Sequence, residues 1–262
     1  VVYVQEKNEK NTKRILHSIH SAGTYISNDT DSAPQITNNI MCIWLETFKP
    51  VIGQTNTMNK ETIIYGVAVA NIFTGKSSIF EHQSPFLLNP TTFDELERTV
   101  SVFSPSELII VSDFDNATLN NIIQFSGIKT SLIHKVKISD PNNEKVQNCM
   151  KQKYVQHIIS HFFGDDSFQI CSEFNTHIIA TQAFCYLLNF IQEHDSKLVR
   201  KISLPIFNNT SDRLILANHT LRQLNIIDDH SNDGKKVGQL SSVLSFLNKC
   251  CSAMGKRRFQ YE

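Results

Sequence analysis

The sequence predicts an α/β domain followed by a helical segment, and three observations carry that reading. Apolar, β-branched runs at 40–48, 63–72 and 108–111 have the length and the bounding turns of strands. Segments at 92–103 and 117–125 place apolar residues at helical spacing and stop at Ser104-Pro105 and at Gly127. Strands that alternate with helices require at least some parallel pairing. Beyond Pro141 strand character fades and long helical stripes take over.

Taken in order, Val1 to Val4 read as an extended strand already under way. A charged stretch with Lys7, Lys10, Lys13 and Arg14 then leads to a turn at Gly23. Residues 28–37, built from Asn, Asp, Ser, Thr and Pro among others, read as a linker. Residues 40–48, with Cys42 and Trp44, form a buried strand. The runs 63–72 and 77–82 make a hairpin closed at Thr74-Gly75, with Gly75 at positive φ. Thr92 and Glu95 have capping-box spacing, and Phe93, Leu96, Val100 and Phe103 share one helical face. Residues 131–138 alternate as a further strand. An apolar stripe runs from Glu144 to Phe163 through Val146, Met150, Tyr154, Ile158 and Phe162. Residues 176–193 are almost wholly apolar and predict a helix buried on most sides. Pro205 and the polar cluster at 208–212 mark a boundary, followed by a short apolar run at 214–216 and a helix from about 218. Residues 228–236 read as a loop, and 239–261 as helical with a break near Gly255.

Composition narrows the function classes. The chain has 262 residues, 40% of them hydrophobic, enough for one large core or two modest ones. Twenty-five basic residues balance 25 acidic ones. A self-sufficient nucleic-acid module carries a basic excess, because phosphate contacts supply most of its affinity. Any strong grip on DNA is therefore expected outside this segment. No basic start followed by an apolar core reads as a leader, and no apolar run approaches the roughly 20 residues of a membrane helix. The six cysteines, at 42, 149, 171, 185, 250 and 251, match neither a zinc site nor a disulfide framework. The 23 Asn against 9 Ala reflect AT-rich codons, as in an organelle, a giant virus or a parasite. A start inside a strand and an end at Glu262 inside a basic, amphipathic stretch lead to the expectation of an internal fragment.

Four constellations invite a chemical reading. Residues 70–77, Ala-Asn-Ile-Phe-Thr-Gly-Lys-Ser, satisfy a loose phosphate-loop pattern. A phosphate loop needs a glycine-rich turn that opens into a helix, and here a returning strand follows Lys76. The expectation is a hairpin turn. His157 and His161 have metal-ligand spacing on a helix, but Ile158 stands where a zinc hydrolase has Glu, and no third ligand is evident. His17 and His20 invite the same comparison. Glu46 and Asp113 lie on or just after strands, and a two-metal nuclease needs such carboxylates to converge. The basic cluster Lys249, Lys256, Arg257 and Arg258 reads as a solvated face. No Ser-His-Asp or Cys-His arrangement follows from the spacing.

Five segments, in order along the chain, resemble the MutS family of DNA mismatch-repair proteins. Arg14-Ile15-Leu16-His17 to Ala22-Gly23-Thr24 is similar to the link "R-x-V-T-R-x-x-T-P-G-T", with Ala22 in place of Pro. Residues 65–75 resemble the connector hairpin "G-x-A-x-x-D-x-x-T-G", with Asn71 in place of Asp. Leu96 through Ser104-Pro105-Ser106-Glu107-Leu108 is similar to the helix that follows this hairpin and to the "P-x-E-x-L" strand. Residues 214–224 resemble the start of the family's core, with Ala217 in place of Asp. Residues 238–257 resemble "G-S-L-x-x-x-L … T-A-M-G-x-R", with Ser252 in place of Thr.

The resemblance implies a ribonuclease-H-like α/β connector domain at 38–195 and the start of an all-α core, truncated, at 196–262. Residues 1–27 would be the tail of the mismatch-recognition domain. It also implies that Gly75, Ala253, Met254, Gly255 and Arg257 serve structural or transmission roles, with no catalytic, cofactor or metal residue in this segment. ATP and Mg²⁺, mismatched double-stranded DNA, a MutL-type partner and a homodimer belong to the full-length protein in that family, which is a DNA-dependent ATPase. Composition and window look most like the MutS-like proteins encoded in octocoral mitochondria, which implies a mitochondrial setting, with giant-virus MutS proteins next.

Overall fold

The computed structural model describes residues 2–7, 12–24, 38–49, 61–207, 223–226 and 242–261. Val2–Lys7 (β1) and Thr12–Ser18 (β2) pair as an antiparallel hairpin. The remaining strands are Asn39–Phe48 (β3), Thr62–Asn71 (β4), Ser77–Pro85 (β5), Glu107–Val111 (β6), Ile133–Val136 (β7) and Ile206–Phe207 (β8). They form one six-stranded sheet in the order β7-β6-β3-β4-β5-β8. β3, β4 and β5 make an antiparallel meander. β6 adds in parallel to β3, and β7 in parallel to β6. β8 adds in parallel to β5 at the opposite edge.

The central strands are apolar on both faces because the sheet is covered on both faces. On β3, Ile40, Cys42 and Trp44 face one core, while Met41, Ile43 and Leu45 face the other. Asp94–Phe103 (α1) and Asn116–Phe125 (α2) cover the second core with Leu96, Val100, Leu119 and Ile122. Five short or medium helices precede the main one on the first face or complete it. They are Glu144–Cys149 (α3), Gln152–Phe163 (α4), Ser167–Ile170 (α5), Glu173–Thr176 (α6) and, after the main helix, Ser196–Val199 (α8). The main helix is Ile178–His194 (α7), with 12 of its 17 residues buried, so it is enclosed on most sides as its composition predicts.

Close approach of α7 to the sheet depends on small residues. Gly66, Ala68 and Ala70 alternate on the face of β4 that meets it. A Cβ added at Gly66 would lie 2.3 Å from the Ala180 backbone nitrogen and 2.4 Å from the Ile179 carbonyl carbon. The helix start is also capped from the sheet. Glu81 on β5 accepts a 2.9 Å hydrogen bond from the Ala180 N–H, satisfying one of the unpaired donors of the first turn with a charge of favourable sign.

Four expectations change. The cap ahead of α1 is not Thr92 with Glu95. Pro90 begins a 3-10 turn (Pro90–Phe93), so winding starts earlier and Asn89 accepts from the Thr92 N–H at 3.1 Å. Glu95 pairs with Arg98 instead. The stripe at 144–163 is broken at Met150 and Lys151 between α3 and α4. Met150 is exposed, and Cys149, Val155 and Ile159 take the buried positions beside Val146 and Ile158. Residues 196–207 pack on the sheet instead of beginning a separate segment. Leu198, Val199 and Ile202 are buried in its core, and β8 lengthens it. Near the C-terminus the break falls at 248–252, between helices Val243–Leu247 and Ala253–Tyr261, and Gly255 lies inside the second. The expected run at 214–216 and most of the helix from about 218 lie outside the described residues.

Gly66→Ala forces α7 off β4 and is expected to destabilise the fold by about 1–3 kcal/mol, the usual cost of overpacking. An unchanged urea midpoint would show that the helix has room to spare.

Candidate functional site

Two of the segments that carry the family resemblance meet in space, and their meeting point is the best-organised polar site among the described residues. Glu107 opens β6 and is fully buried. A carboxylate there must be satisfied by hydrogen bonds or carry a large desolvation cost. Its Oε2 accepts from the Gly23 N–H at 2.9 Å and from the Ser21 hydroxyl. Its Oε1 lies 2.7 Å from His134 Nε2 on β7. Ser21 and Thr24 are bonded to each other through N–H to Oγ1 at 2.8 Å, so the link is folded into a compact turn. A Cβ at Gly23 would lie 2.6 Å from both Glu107 Oε2 and Ile40 Cγ1, so only glycine lets the backbone reach the carboxylate. A second tie joins the Ile19 N–H to the His194 carbonyl at the end of α7, 2.9 Å away.

Ser21, Glu107 and His134 have the residue types of a hydrolytic triad in an order that cannot act as one. In a triad the imidazole stands between hydroxyl and acid, where it removes the hydroxyl proton. Here the carboxylate stands between the other two. The arrangement is a clamp of one peptide segment on another.

The hairpin turn forms a second built contact. Gly75 has φ +73°. Its carbonyl accepts from the Ser203 N–H at 2.8 Å, and a Cβ there would lie 2.1 Å from the Lys201 carbonyl oxygen. The expected hairpin turn is therefore what residues 70–77 form, and it is where the chain leaving α8 crosses the sheet. Asn71 Oδ1 accepts from Phe73 and Thr74 N–H, both at 3.0 Å, as an Asp would. Its Nδ2 donates to Asn39 Oδ1 at 2.8 Å, which an Asp could not do. Asn39 in turn donates to the Phe103 carbonyl, fixing its own orientation.

Glu46 lies on β3 and Asp113 in the loop after β6, each two residues beyond the register pair Trp44 and Val111 of those parallel strands. Each has a protein partner. Trp44 Nε1 donates to Glu46 at 2.7 Å, and the Ser139 N–H donates to Asp113 at 2.8 Å. His157 and His161 lie exposed on α4 with ring centroids 6.3 Å apart. Among the described residues no group of three or more His, Cys, Asp or Glu could hold a metal. Met254 is exposed on the helix Ala253–Tyr261 and Gly255 is half-buried there, its N–H donating to Ser252 Oγ at 3.1 Å. Ala253 and Arg257 lie on the same helix. These residues are not brought to the Glu107 site by any described contact. Sequence reasoning quoted Gly23 and Glu107 only as parts of separate motifs and missed His134. A buried-strand position occupied by Glu was the signal.

The most displaced ionisations belong to the core. Burial pushes the Cys149 thiol up to about 12 and the Tyr186 phenol up to about 12, and it raises Cys42 and Cys185 as well. These groups are enclosed by apolar side chains, as structural residues are.

No family model matches the chain. Over 275 aligned residues it is 23% identical to a putative DNA mismatch repair protein, a mutS homolog, of Acanthamoeba polyphaga mimivirus, with 98% of this chain and 24% of that protein covered. The chain therefore spans about a quarter of the length of the curated relative it matches. Among the described residues no helix is long and apolar enough to cross a membrane.

Asn71→Asp sets two acceptors against each other and is expected to cost about 1–3 kcal/mol. Equal stability of the two proteins in urea would contradict the amide pairing. The buried thiols and phenol also set an alkaline limit. Below pH 9.0 folded and unfolded chains both keep these protons, so stability is complete. Between pH 9.0 and about 12 the unfolded chain loses protons that the folded one holds, and stability falls as pH rises. A urea midpoint that stays flat across that window would refute it.

Proposed function

We propose that this chain is the connector and first core portion of a MutS-type DNA mismatch-repair protein, and that it couples mismatched-DNA binding at one end to ATP-driven clamp switching at the other. One observation carries the reading. Two segments singled out by family resemblance, 14–24 and 96–108, are clamped together through Glu107 in a chain whose likeness to a mutS homolog runs along 98% of its length. The sheet order, an antiparallel meander with two strands added in parallel to its first, supports a ribonuclease-H-like connector. In this reading the connector runs from 38 to at least 207. Mismatched duplex, ATP and Mg²⁺ are engaged by parts of the full-length protein outside this chain. Its partners are a MutL-type protein and a second copy of itself, and its setting is mitochondrial, which organelle fractionation tests.

A second reading is favoured by the placement of Glu46 and Asp113 at neighbouring ends of parallel strands, where a metal-dependent nuclease would hold its carboxylates. The engaged state of both side chains weighs against it.

Gel-shift and nuclease assays separate the two. The full-length protein is expected to bind mismatched duplex at least about tenfold more tightly than matched duplex, a difference of roughly 1.4 kcal/mol, and to release it on ATP addition. This chain alone is expected to show no such preference. Mg²⁺-dependent cleavage by the chain, abolished by Asp113→Asn, would instead establish the nuclease.

A further inference from the structure

We propose that Glu107 is a positioning residue that works as a releasable clasp, holding residues 19–24 on the sheet and setting whether the chain upstream moves with the connector. The inference deepens the coupling function above and rests on it.

The asymmetry of the site carries the proposal. The sheet itself satisfies one carboxylate oxygen, through His134 on the neighbouring strand. The other oxygen takes both its donors from the link, at Gly23 and Ser21. A fully buried carboxylate with one oxygen supplied only from outside the sheet is a socket, and the link is its plug.

Among the described residues 19–24, Ile19 is the one large apolar side chain, and it is half-buried. Ala22 and His20 are exposed, Ser21 is half-buried, and the enclosed residues are Gly23 and Thr24. Docking therefore rests on polar contacts and shape more than on apolar burial, which suits a contact that must open. The glycine is part of the fit, since a Cβ at 23 would strike Glu107 and Ile40. His134, with 37% of its side chain exposed, remains beside the carboxylate when the link leaves, so the open state keeps one partner. The Ile19 tie to His194 brings the same link to the end of α7, the helix that fills the core. A displacement of the link is thus felt at both β6 and α7.

Hydrogen exchange on this chain tests the clasp directly. In Glu107→Gln, the Gly23 and Thr24 amides are expected to exchange at least about tenfold faster, while Leu187 and Leu188 in α7 keep their protection. Equal loss of protection throughout would make Glu107 a folding residue, and unchanged exchange at Gly23 would remove the clasp. Ser21→Ala, which removes one donor from the link and leaves the core intact, provides the same readout where Glu107→Gln does not fold. It is expected to raise exchange at Gly23 severalfold. In the full-length protein, Ser21→Ala is expected to slow ATP-driven release of mismatched duplex severalfold, with ATP-free affinity for the duplex within about twofold of wild type. Faster exchange at Gly23 with unaltered release would leave a clasp that has no part in coupling and overturn the proposal. Absence of mismatch binding in the wild-type protein would instead sink the functional reading, and the exchange result would stand apart from it.

Discussion

The structure depends on how closely α7 approaches β4. Where Gly66 faces the helix, the backbones meet with no space for a side chain. This permits Phe184, Leu187, Leu188 and Ile191 to pack with Ile40, Cys42 and Trp44 in one buried cluster. Everything on that side of the sheet follows from the contact. Glu81 reaches the first turn of α7 only because the helix starts directly above β5. The carbonyl of His194 meets Ile19 only because the helix ends beside the link. Residues 196–207 return along the sheet to cross the hairpin turn at Gly75.

Polar contacts then decide how the segments are joined. Apolar burial makes a sheet with two covered faces, but it does not choose where the link or the return segment docks. Those choices are made at Glu107 for the link and at Gly75 for the return segment, each contact joining a hydrogen bond to a close approach that admits no extra atom. The sheet is covered by apolar side chains on both faces, whereas these junctions rest on a few hydrogen bonds.

The family-like pattern also acquires physical meaning. The glycine and alanines of residues 66–70 are the surface that receives α7, and the turn glycine at 75 receives residues 201–203. Asn71, a departure from the family pattern, keeps the acceptor role of an Asp and adds a donor that Asn39 uses. A substitution that looks like the loss of a charge is matched by its neighbour.

The sequence by itself determined the strands, the hairpin turn and the buried helix, because periodicity and turn chemistry are local properties that survive without knowledge of the fold. It also showed which segments resemble the mismatch-repair family. It misplaced the cap at Thr92, because Pro90 had already begun the winding at Asn89. It read the stripe at 144–163 through Met150, because a break of two residues rotates the buried face, and spacing alone does not reveal a break. It ended the α/β unit at 195, because a two-residue strand such as Ile206–Phe207 has no periodicity to detect. The Glu107 site was beyond it for a stronger reason. Ser21, Gly23, Glu107 and His134 are separated by up to 86 residues across their hydrogen bonds, and only the tertiary structure decides that a buried carboxylate finds its donors in a link so distant along the chain.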